Sequence, residues 1–280
     1  MSDYRILNGR APKIDAADKV TGRAIYTDDM KLPGMLRGAI LHSPVAHARI
    51  ARLDVSRARA LPGVAAVITA DDVGAIKYGV SPARYDETML AVDKVRYVGD
   101  EVAAVAAVDM ETALEALSLI EVEYDELPIV LDGRAARDPE AVQLHEEYRD
   151  NTCAQVHQHF GDVDAALAEA DVVRTDTLTS KMQDGAFLEP QAALARFDLD
   201  GNLTLWSSTQ VPHYTQRTVA MVLGLANSQV RVIKPAVGGG FGPKAACSTM
   251  ELITCALARE TGRPVKTVFT REQVFLHSRA

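Results

Sequence analysis

The sequence predicts a mixed fold of helices and strands (α+β), and three observations favour that class. Hydrophobic residues make up 48% of the 280-residue chain, which is enough to bury one or two full cores. Several short segments alternate apolar and polar residues, as strands do. Between them lie segments whose apolar residues recur three and four positions apart, as in helices. The two patterns follow one another along the chain, although they do not reveal the polarity of the sheet.

The first predicted unit comprises residues 19–131. Its predicted elements are a strand at 64–69 after the turn Leu61-Pro62-Gly63, a strand at 101–108, a helix at 111–119 and a strand at 121–125 that ends at Leu127-Pro128. The strand at 101–108 is almost continuously apolar, which is typical of a strand covered on both faces. Asp109 can cap the helix, and we expect Leu114, Leu117 and Ile120 on its buried side.

A polar stretch separates this unit from the rest of the chain. Residues 132–150 carry many charges together with Gly133 and Pro139, so they predict a linker. The second predicted unit is 151–280, and residues 1–18 are predicted to form an N-terminal arm.

Within the second unit, a short helix is predicted from Gly161-Asp162 to Ala170. Its expected buried side is Val163, Ala166, Leu167 and Ala170. Asp200-Gly201 predicts a hairpin between strands at 192–197 and 202–207. Residues 229–234 alternate as a strand does, and Met250, Ile253, Thr254 and Leu257 then recur at helical spacing.

Composition excludes several classes of protein. A net charge of −8 and a pI near 5.4 argue against nucleic acid as a partner, because no basic stripe is available to neutralise phosphates. Charged or polar residues interrupt every apolar run, so no membrane span is expected. The first ten residues lack the apolar core of a signal peptide, and we therefore expect a cytoplasmic location.

The three cysteines predict neither a disulfide framework nor a zinc or iron–sulfur site, because they are few and scattered. Cys247 and Cys255 are expected to be small packing residues on the helix that follows the glycine loop of residues 237–244. If the protein performs redox chemistry, its electrons must therefore leave through another polypeptide.

A glycine-rich loop is the most informative motif. Residues 237–244 read VGGGFGPK, and Gly238, Gly239, Gly240 and Gly242 surround the single large residue Phe241. Glycine allows positive φ and lets a ligand approach the backbone without a Cβ in the way. Between a strand and a helix, such a loop can direct several N–H groups at one anion or oxo group. A tight turn around a buried Phe is the alternative, since the loop matches neither common phosphate-binding motif.

Other polar residues have both a functional and a structural interpretation. Gln183 can hydrogen-bond an oxo group through its amide, or it can be a turn residue before Gly185. Lys244 can reach a phosphate or pterin, or it can be solvated. His157 and His159 could form half of a metal site, although the absence of a third ligand nearby favours surface histidines. For His213 we expect capping or a core hydrogen bond.

Four ordered segments resemble one known family. They are 18–36, beginning DKVTGRAIYTDD; 37–50, RGAILHSPVAHARI; 95–107, VRYVGDEVAAVAA; and 187–244, which contains FLEP, TQVPH and the glycine loop. Together they resemble the N-terminal part of the molybdenum-binding large subunit of the xanthine dehydrogenase and aldehyde oxidase family. Within that family the chain is somewhat closer to members similar to 4-hydroxybenzoyl-CoA reductase.

The resemblance implies a fold, a cofactor and partners. The first unit would be the α/β hammerhead domain, and the second would be the beginning of the first molybdenum-cofactor domain. The cofactor would be a molybdenum-pterin, as molybdopterin or its cytosine dinucleotide form. Electrons would pass to a 2Fe-2S small subunit and an FAD medium subunit. The implied reaction is hydroxylation of an aldehyde or an aromatic or heteroaromatic small molecule, with oxygen derived from water.

The resemblance also assigns roles to residues. Gln183 would hydrogen-bond an oxo ligand on molybdenum, and the backbone of Phe241 and Gly242 would contact the apical ligand of the metal. The neighbouring glycines would pack against the pterin. Direct ligation of molybdenum by protein side chains is not expected, because the pterin dithiolene holds the metal. Gln183→Ala should then lower turnover without unfolding, and Gly240→Val should abolish cofactor retention, since we expect positive φ at Gly240.

Two departures from the family pattern matter. Ala245 stands where purine-oxidising members carry a substrate-binding glutamate, which disfavours xanthine. The glutamate base of the family lies near the C-terminus of much longer subunits and is not in this sequence. We therefore expect an incomplete large subunit that needs its remaining C-terminal part. The alternatives are a non-catalytic module that holds the cofactor or assists assembly, and a phosphate- or nucleotide-binding protein.

Overall fold

The computed structural model describes residues 12–80 and 85–277, so most of the predicted N-terminal arm lies outside the described residues. The strands are β1 (Leu36–His42), β2 (Ala48–Asp54), β3 (Val64–Ile68), β4 (Lys94–Val95), β5 (Glu101–Ala107), β6 (Glu121–Glu126), β7 (Ala192–Phe197), β8 (Leu203–Ser207), β9 (Val230–Ile233) and β10 (Val265–Val268). The α-helices are α1 (Ala16–Val20), α2 (Ser56–Ala60), α3 (Ala70–Val73), α4 (Met110–Ser118), α5 (Val163–Glu169), α6 (Pro212–Leu223), α7 (Thr249–Thr261) and α8 (Arg271–His277). The predicted mixed fold is confirmed.

Two sheets organise these elements. The larger sheet has seven strands in the order β3-β5-β1-β10-β7-β8-β9, and the smaller has the order β4-β2-β6. The larger sheet is mixed, because β1 and β10 run parallel, β8 and β9 run parallel, and its other neighbours are antiparallel. Strands from both predicted units therefore share one sheet, joined where β1 pairs with β10.

The core lies on both faces of the large sheet. Strand β5 is buried at every position: Ala104 and Ala106 belong to the cluster that includes α7, whereas Ala103 and Val105 belong to the cluster under α2 and α4. This alternation confirms that β5 is covered on both faces. Helix α7 is buried from its first residue through Ala258, so it forms the centre of the larger cluster.

The predicted buried side of α4 is confirmed in part. Asp109 caps the helix as expected by accepting from Thr112 N at 2.8 Å. Ile120 is buried and Leu117 packs against the same cluster as Ala113 and Ala116, whereas Leu114 is 55% exposed, so its predicted burial was wrong.

Helix α5 forms where it was predicted, but no residue of it is buried. Val163 is 56% exposed and Leu167 is 50% exposed, so the expected buried side of this helix was wrong. Amphipathic spacing predicted the helix correctly but could not show whether a partner for its apolar side exists within the chain.

The predicted linker is anchored to the first unit. Glu146 binds Lys94 at 2.8 Å, and Arg96 donates from Nε to Leu144 O at 3.0 Å. The side-chain oxygen of Asn151 accepts from Leu144 N at 2.8 Å. Charged residues at 132–150 thus make specific contacts with the first unit. Among the helices in the described ranges, none is long and apolar enough to cross a membrane.

Candidate functional site

The glycine loop connects β9 to α7 and lies against residues 187–189. Glu189 N donates to Gly238 O at 3.3 Å, and Gly238 N donates to Glu189 Oε2 at 2.8 Å. On the other side, Gln210 N donates to Lys244 O at 2.8 Å. Both ends of the loop are therefore fixed to segments that precede β7 and α6 in the chain.

The tip of the loop has unusual backbone geometry. Gly239, Phe241 and Gly242 have φ of 105°, 51° and 112°. Positive φ is uncommon for a bulky residue, and such strain is found most often at functional sites. Phe241 is also 75% exposed, so the alternative of a turn built around a buried Phe is wrong.

Gly240 is glycine for a different reason from the one expected. Its φ is not positive, so the predicted left-handed conformation at this position is wrong. A Cβ on Gly240 would lie 2.4 Å from Gln210 Oε1, and one on Gly238 would lie 2.6 Å from Glu189 Cβ. These two glycines allow close packing within the chain, whereas Gly239 and Gly242 supply the left-handed backbone.

Three successive amide groups in the loop have no recorded acceptor among the described residues. Within the described residues, the N–H groups of Gly239, Gly240 and Phe241 have no recorded acceptor, although Gly240 is buried. Buried backbone donors are normally paired, so unpaired donors in a strained loop indicate an external acceptor. A metal–oxo group, a dithiolene-bearing pterin or a phosphate would fit this donor set.

Lys244, the last residue of the loop, forms a buried ion pair with Glu189. Its ammonium is 2.8 Å from Glu189 Oε2, donates to Glu189 O at 2.8 Å and lies 4.7 Å from the centre of the Phe187 ring. Burial lowers the pKa of Lys244, and the hydrogen bond and charge of Glu189 oppose that effect. Because Lys244 is buried, the alternative of a solvated lysine is wrong, and its contact with a cofactor stays a prediction.

Gln183 is exposed and makes no recorded contact with the loop. Gly185, two residues later, does approach it: a Cβ on Gly185 would lie 3.0 Å from Phe241 Cβ. Arg271 fixes the following turn by donating to Phe187 O at 2.8 Å and Leu188 O at 2.9 Å. The chain therefore leads Gln183 to the neighbourhood of the loop, and its hydrogen bond to an oxo ligand stays a prediction.

The remaining candidates are histidines and cysteines. His157 and His159 are exposed, as favoured, and the described residues contain no cluster of three potential metal ligands. His213 was expected to cap or to bond in the core, which was wrong, because it lies exposed on the first turn of α6. Cys247 and Cys255 are buried packing residues, although Cys247 precedes α7 and is not part of it.

A buried polar cluster missed by sequence reasoning anchors the start of α7. Glu101 on β5 is 2.8 Å from His277 Nδ1, accepts from Tyr97 at 3.2 Å and accepts from Thr249. Burial alone would raise the pKa of Glu101, but the nearby His277 and the hydrogen bonds from His277 and Thr249 leave it lower than usual. A cavity of about 280 Å³ lies between this cluster and the end of the glycine loop.

Gln210 and Glu189 were also missed as parts of the site. Gln210 Oε1 accepts from Gly242 N at 3.2 Å, and Glu189 Oε2 accepts from Gly238 N at 2.8 Å. Both side chains therefore bind the backbone of the loop. A polar residue at a predicted turn carries no local signal for such a contact. Their distance in sequence from the glycines, 49 residues for Glu189 to Gly238 and 32 for Gln210 to Gly242, conceals it further.

Two family models match this chain. Residues 21–128 match the family described as aldehyde oxidase and xanthine dehydrogenase, a/b hammerhead domain. Residues 144–280 match the molybdopterin cofactor-binding domain. The chain belongs to the aldehyde oxidase and xanthine dehydrogenase family of molybdenum enzymes. The glycine loop, Gln183 and the ion pair of Lys244 all lie within the part that matches the cofactor-binding domain.

Relatives with assigned functions are longer than this chain. It is 39% identical to the nicotinate dehydrogenase large molybdopterin subunit of Eubacterium barkeri, over 97% of this chain and 63% of the relative. It is 37% identical to the carbon monoxide dehydrogenase large chain of Afipia carboxidovorans, over 89% of this chain and 33% of the relative. The crystal structure of quinoline 2-oxidoreductase from Pseudomonas putida 86 superposes with a TM-score of 0.87 at 33% identity, over 96% of this chain and 35% of that chain.

Proposed function

We propose that this chain supplies part of the molybdenum-cofactor site of a hydroxylase that oxidises an aldehyde or an aromatic or heteroaromatic molecule. The observation that supports this function most directly is the strained loop at 239–242 with its three unpaired N–H groups. When bound, the cofactor supplies two-electron oxidation together with oxygen derived from water. The role of the chain is to bind and orient that group through bare backbone.

The residues of the loop divide this work among them. Gly239 and Gly242 adopt the left-handed conformations, and Phe241 between them presents an exposed ring beside free amide groups. Unlike a lysine or an arginine, backbone donors add no net charge, and they need no reorganisation when a ligand arrives. Gln183 is proposed to add one side-chain hydrogen bond to an oxo ligand.

The remaining parts of the enzyme are proposed from the relatives. Their names, large subunit and large chain, imply smaller partner subunits, which we propose carry the 2Fe-2S and FAD centres. We also propose that a further C-terminal portion of the large subunit completes the active site. An aromatic or heteroaromatic substrate agrees with the names of two similar proteins, nicotinate dehydrogenase and quinoline 2-oxidoreductase.

Isotope labelling tests the proposed reaction. The complete enzyme, purified with its partner subunits, is incubated in H₂¹⁸O with an artificial electron acceptor and with nicotinate, quinoline or a set of aldehydes. We expect a hydroxylated or carboxylate product that carries oxygen from the labelled water. Label that comes instead from dissolved oxygen, or enzyme without bound molybdenum, would contradict the proposal.

Gln183→Ala tests the proposed side-chain contact in the same enzyme. Because Gln183 is exposed and has no recorded partner among the described residues, the substitution should leave the unfolding temperature unchanged. Turnover should nevertheless fall by about tenfold, since one hydrogen bond to a charged group contributes roughly 1.5 kcal/mol. Gln155→Ala, also an exposed glutamine, is the matched control. Equal turnover in both variants would show that Gln183 is only a turn residue.

A further inference from the structure

Residues 171–182 have the composition of a β-strand but no strand partner. The stretch reads DVVRTDTLTSKM, and its two valines and three threonines favour strands. All of these residues are exposed, and none belongs to a helix or strand. Within the described ranges, their backbone N–H and C=O groups have no recorded hydrogen bond. Unpaired backbone that carries strand-forming side chains is a template to which another strand can add.

An ion pair indicates that this segment is extended. Arg174 Nη2 lies 2.9 Å from Asp176 Oδ1, two residues away, so the two side chains share a side of the backbone, as alternate residues of a strand do. The same side carries Val172, Leu178 and Met182, which are 82%, 91% and 86% exposed. Because its two charges neutralise each other, this apolar side can be covered without leaving an unpaired charge.

The segment leads directly into the candidate site. Gln183 follows it, and a Cβ on Gly185 would lie 3.0 Å from Phe241 Cβ in the glycine loop. The matched part is only 63% of the nicotinate dehydrogenase subunit and 33% of the carbon monoxide dehydrogenase large chain, so both relatives have more chain to place near this site. An apolar, charge-neutral side suits a permanent interface, which resembles a domain core cut in half.

We propose that residues 171–182 are a docking strand, to which a β-strand from the further portion of the large subunit adds. The inference rests on the proposed function for the existence of that portion. Backbone pairing supplies the affinity, and apolar side chains that cover Val172, Leu178 and Met182 supply the specificity. Docking also fixes the position of Gln183, which this chain leaves exposed.

Hydrogen exchange compares the 280-residue chain with the complete enzyme. Amides of 171–182 should exchange at least about a hundredfold more slowly in the complete enzyme, because paired strands exchange only through local opening. Amides of β5, which is buried in this chain, are the control and should be equally slow in both. Fast exchange of 171–182 in the complete enzyme would overturn the proposal.

The same measurement identifies the occupant. Protection should remain in the large subunit after the iron–sulfur and FAD subunits are removed. Loss of protection on their removal would show that a partner subunit covers the strand. Protection in the 280-residue chain that rises with its concentration would show that a second copy does. Either result would overturn the proposal.

Proline substitutions test the backbone pairing. Proline removes an N–H group, and the N–H groups of residues 177 and 180 point to opposite edges of an extended strand. At least one of Thr177→Pro and Ser180→Pro should therefore lose the protection of neighbouring amides in the complete enzyme. Thr177→Ala and Ser180→Ala keep the N–H and should retain it. Protection that survives in both proline variants would contradict strand pairing.

A charge on the apolar side tests the side-chain contact. Leu178→Asp should speed exchange of 171–182 in the complete enzyme by at least about tenfold, the factor that corresponds to one buried leucine. Leu199→Asp, at an exposed turn between β7 and β8, is the matched control and should have no effect there. Equal exchange in the two variants would overturn the proposed contact.

The docking strand and the proposed function can fail separately. A complete enzyme that contains molybdenum but leaves 171–182 in fast exchange refutes the docking strand and keeps the function. A protein without molybdenum in which 171–182 is protected refutes the function and keeps the docking strand.

Discussion

The glycine loop and the segment 153–183 differ in how firmly this chain holds them. The loop is fixed by Glu189, Gln210 and the buried ammonium of Lys244. In residues 153–183, all of which the structure describes, the only regular element is α5, and no backbone hydrogen bond is recorded outside it except the one from Ala166 to Asp162 at its start. The second unit thus contains one region, the glycine loop, that is held by contacts within the chain. Its other region, residues 153–183, makes few backbone hydrogen bonds.

Apolar residues show the same difference. Val172 is 82% exposed and Leu178 is 91% exposed, although residues with these side chains usually lie inside. In contrast, Phe187, only nine residues after Leu178, is fully buried beside Lys244. Of the predicted site residues, the loop therefore belongs to the anchored region, and Gln183 lies at the end of the exposed segment.

The largest effect is expected from breaking the buried ion pair. Lys244→Met leaves the Glu189 carboxylate buried without its cation, which should lower the free energy of unfolding by about 3–5 kcal/mol. Adding Glu189→Gln should recover much of that loss, because the amide still accepts from Gly238 N. Urea unfolding measures both, and Lys234→Met, at an exposed lysine, is the control. If Lys244→Met is as stable as the control, the ion pair of Lys244 and Glu189 does not stabilise the loop.

The buried cluster around Glu101 predicts a dependence on pH. The folded-state pKa of Glu101 lies below its ordinary value of 4.5, so ionised Glu101 contributes stability that is present above that value. As pH falls through the folded-state pKa, the contribution is lost. Between pH 6 and pH 3, the free energy of unfolding should thus fall more steeply in the wild type than in Glu101→Gln. Urea unfolding at a series of pH values tests this, and parallel curves would contradict it.

A smaller loss is expected from a Cβ at the tip of the loop. Gly239→Ala places an L side chain at φ 105°, 3.1 Å from Phe241 Cε2 and 3.2 Å from Phe187 Cβ. The backbone strain should lower the free energy of unfolding by roughly 1–3 kcal/mol. Gly133→Ala is the matched control, because its Cβ would have nothing within 4 Å and its φ is not positive. Equal stabilities of the two variants would show that the loop adapts without strain.

The smallest effect is expected in the exposed segment. Val172→Ala should change the free energy of unfolding by less than about 0.5 kcal/mol, because the side chain contacts little in this chain. The matched substitution Val102→Ala, at a fully buried position on β5, should lower it by about 2 kcal/mol. Thermal or urea unfolding compares them directly. A similar loss in both variants would show that 153–183 packs against the rest of the protein.

The accuracy of the sequence predictions follows the range of the interactions involved. Alternation and helical spacing are local, so β5, α4, α5 and the hairpin of β7 and β8 were found near their true bounds. The covered strand β5 was identified because both of its faces are apolar. The exposed apolar side of α5 was not foreseen, because a periodic pattern shows which side is apolar and not what covers it.

The site was predictable where its signal is local. Four glycines around one Phe indicate an unusual backbone, whereas the role of Gln183 rests on the resemblance to a known family and stays a prediction. Which glycines are needed for close packing depends on distant partners: Gln210 occupies the space next to Gly240, and Glu189 occupies the space next to Gly238. Contacts between residues so far apart in sequence leave no local pattern.

The molybdenum and pterin content of the purified complete enzyme tests the central claim most directly, with wild type and Gly239→Ala compared after growth in molybdate. If bare backbone at 239–242 holds the cofactor, the wild type contains molybdenum and pterin in equal amounts, and the variant loses most of both while keeping its circular dichroism spectrum. Full cofactor content in a folded Gly239→Ala enzyme would contradict the claim, as would a wild type with neither molybdenum nor pterin.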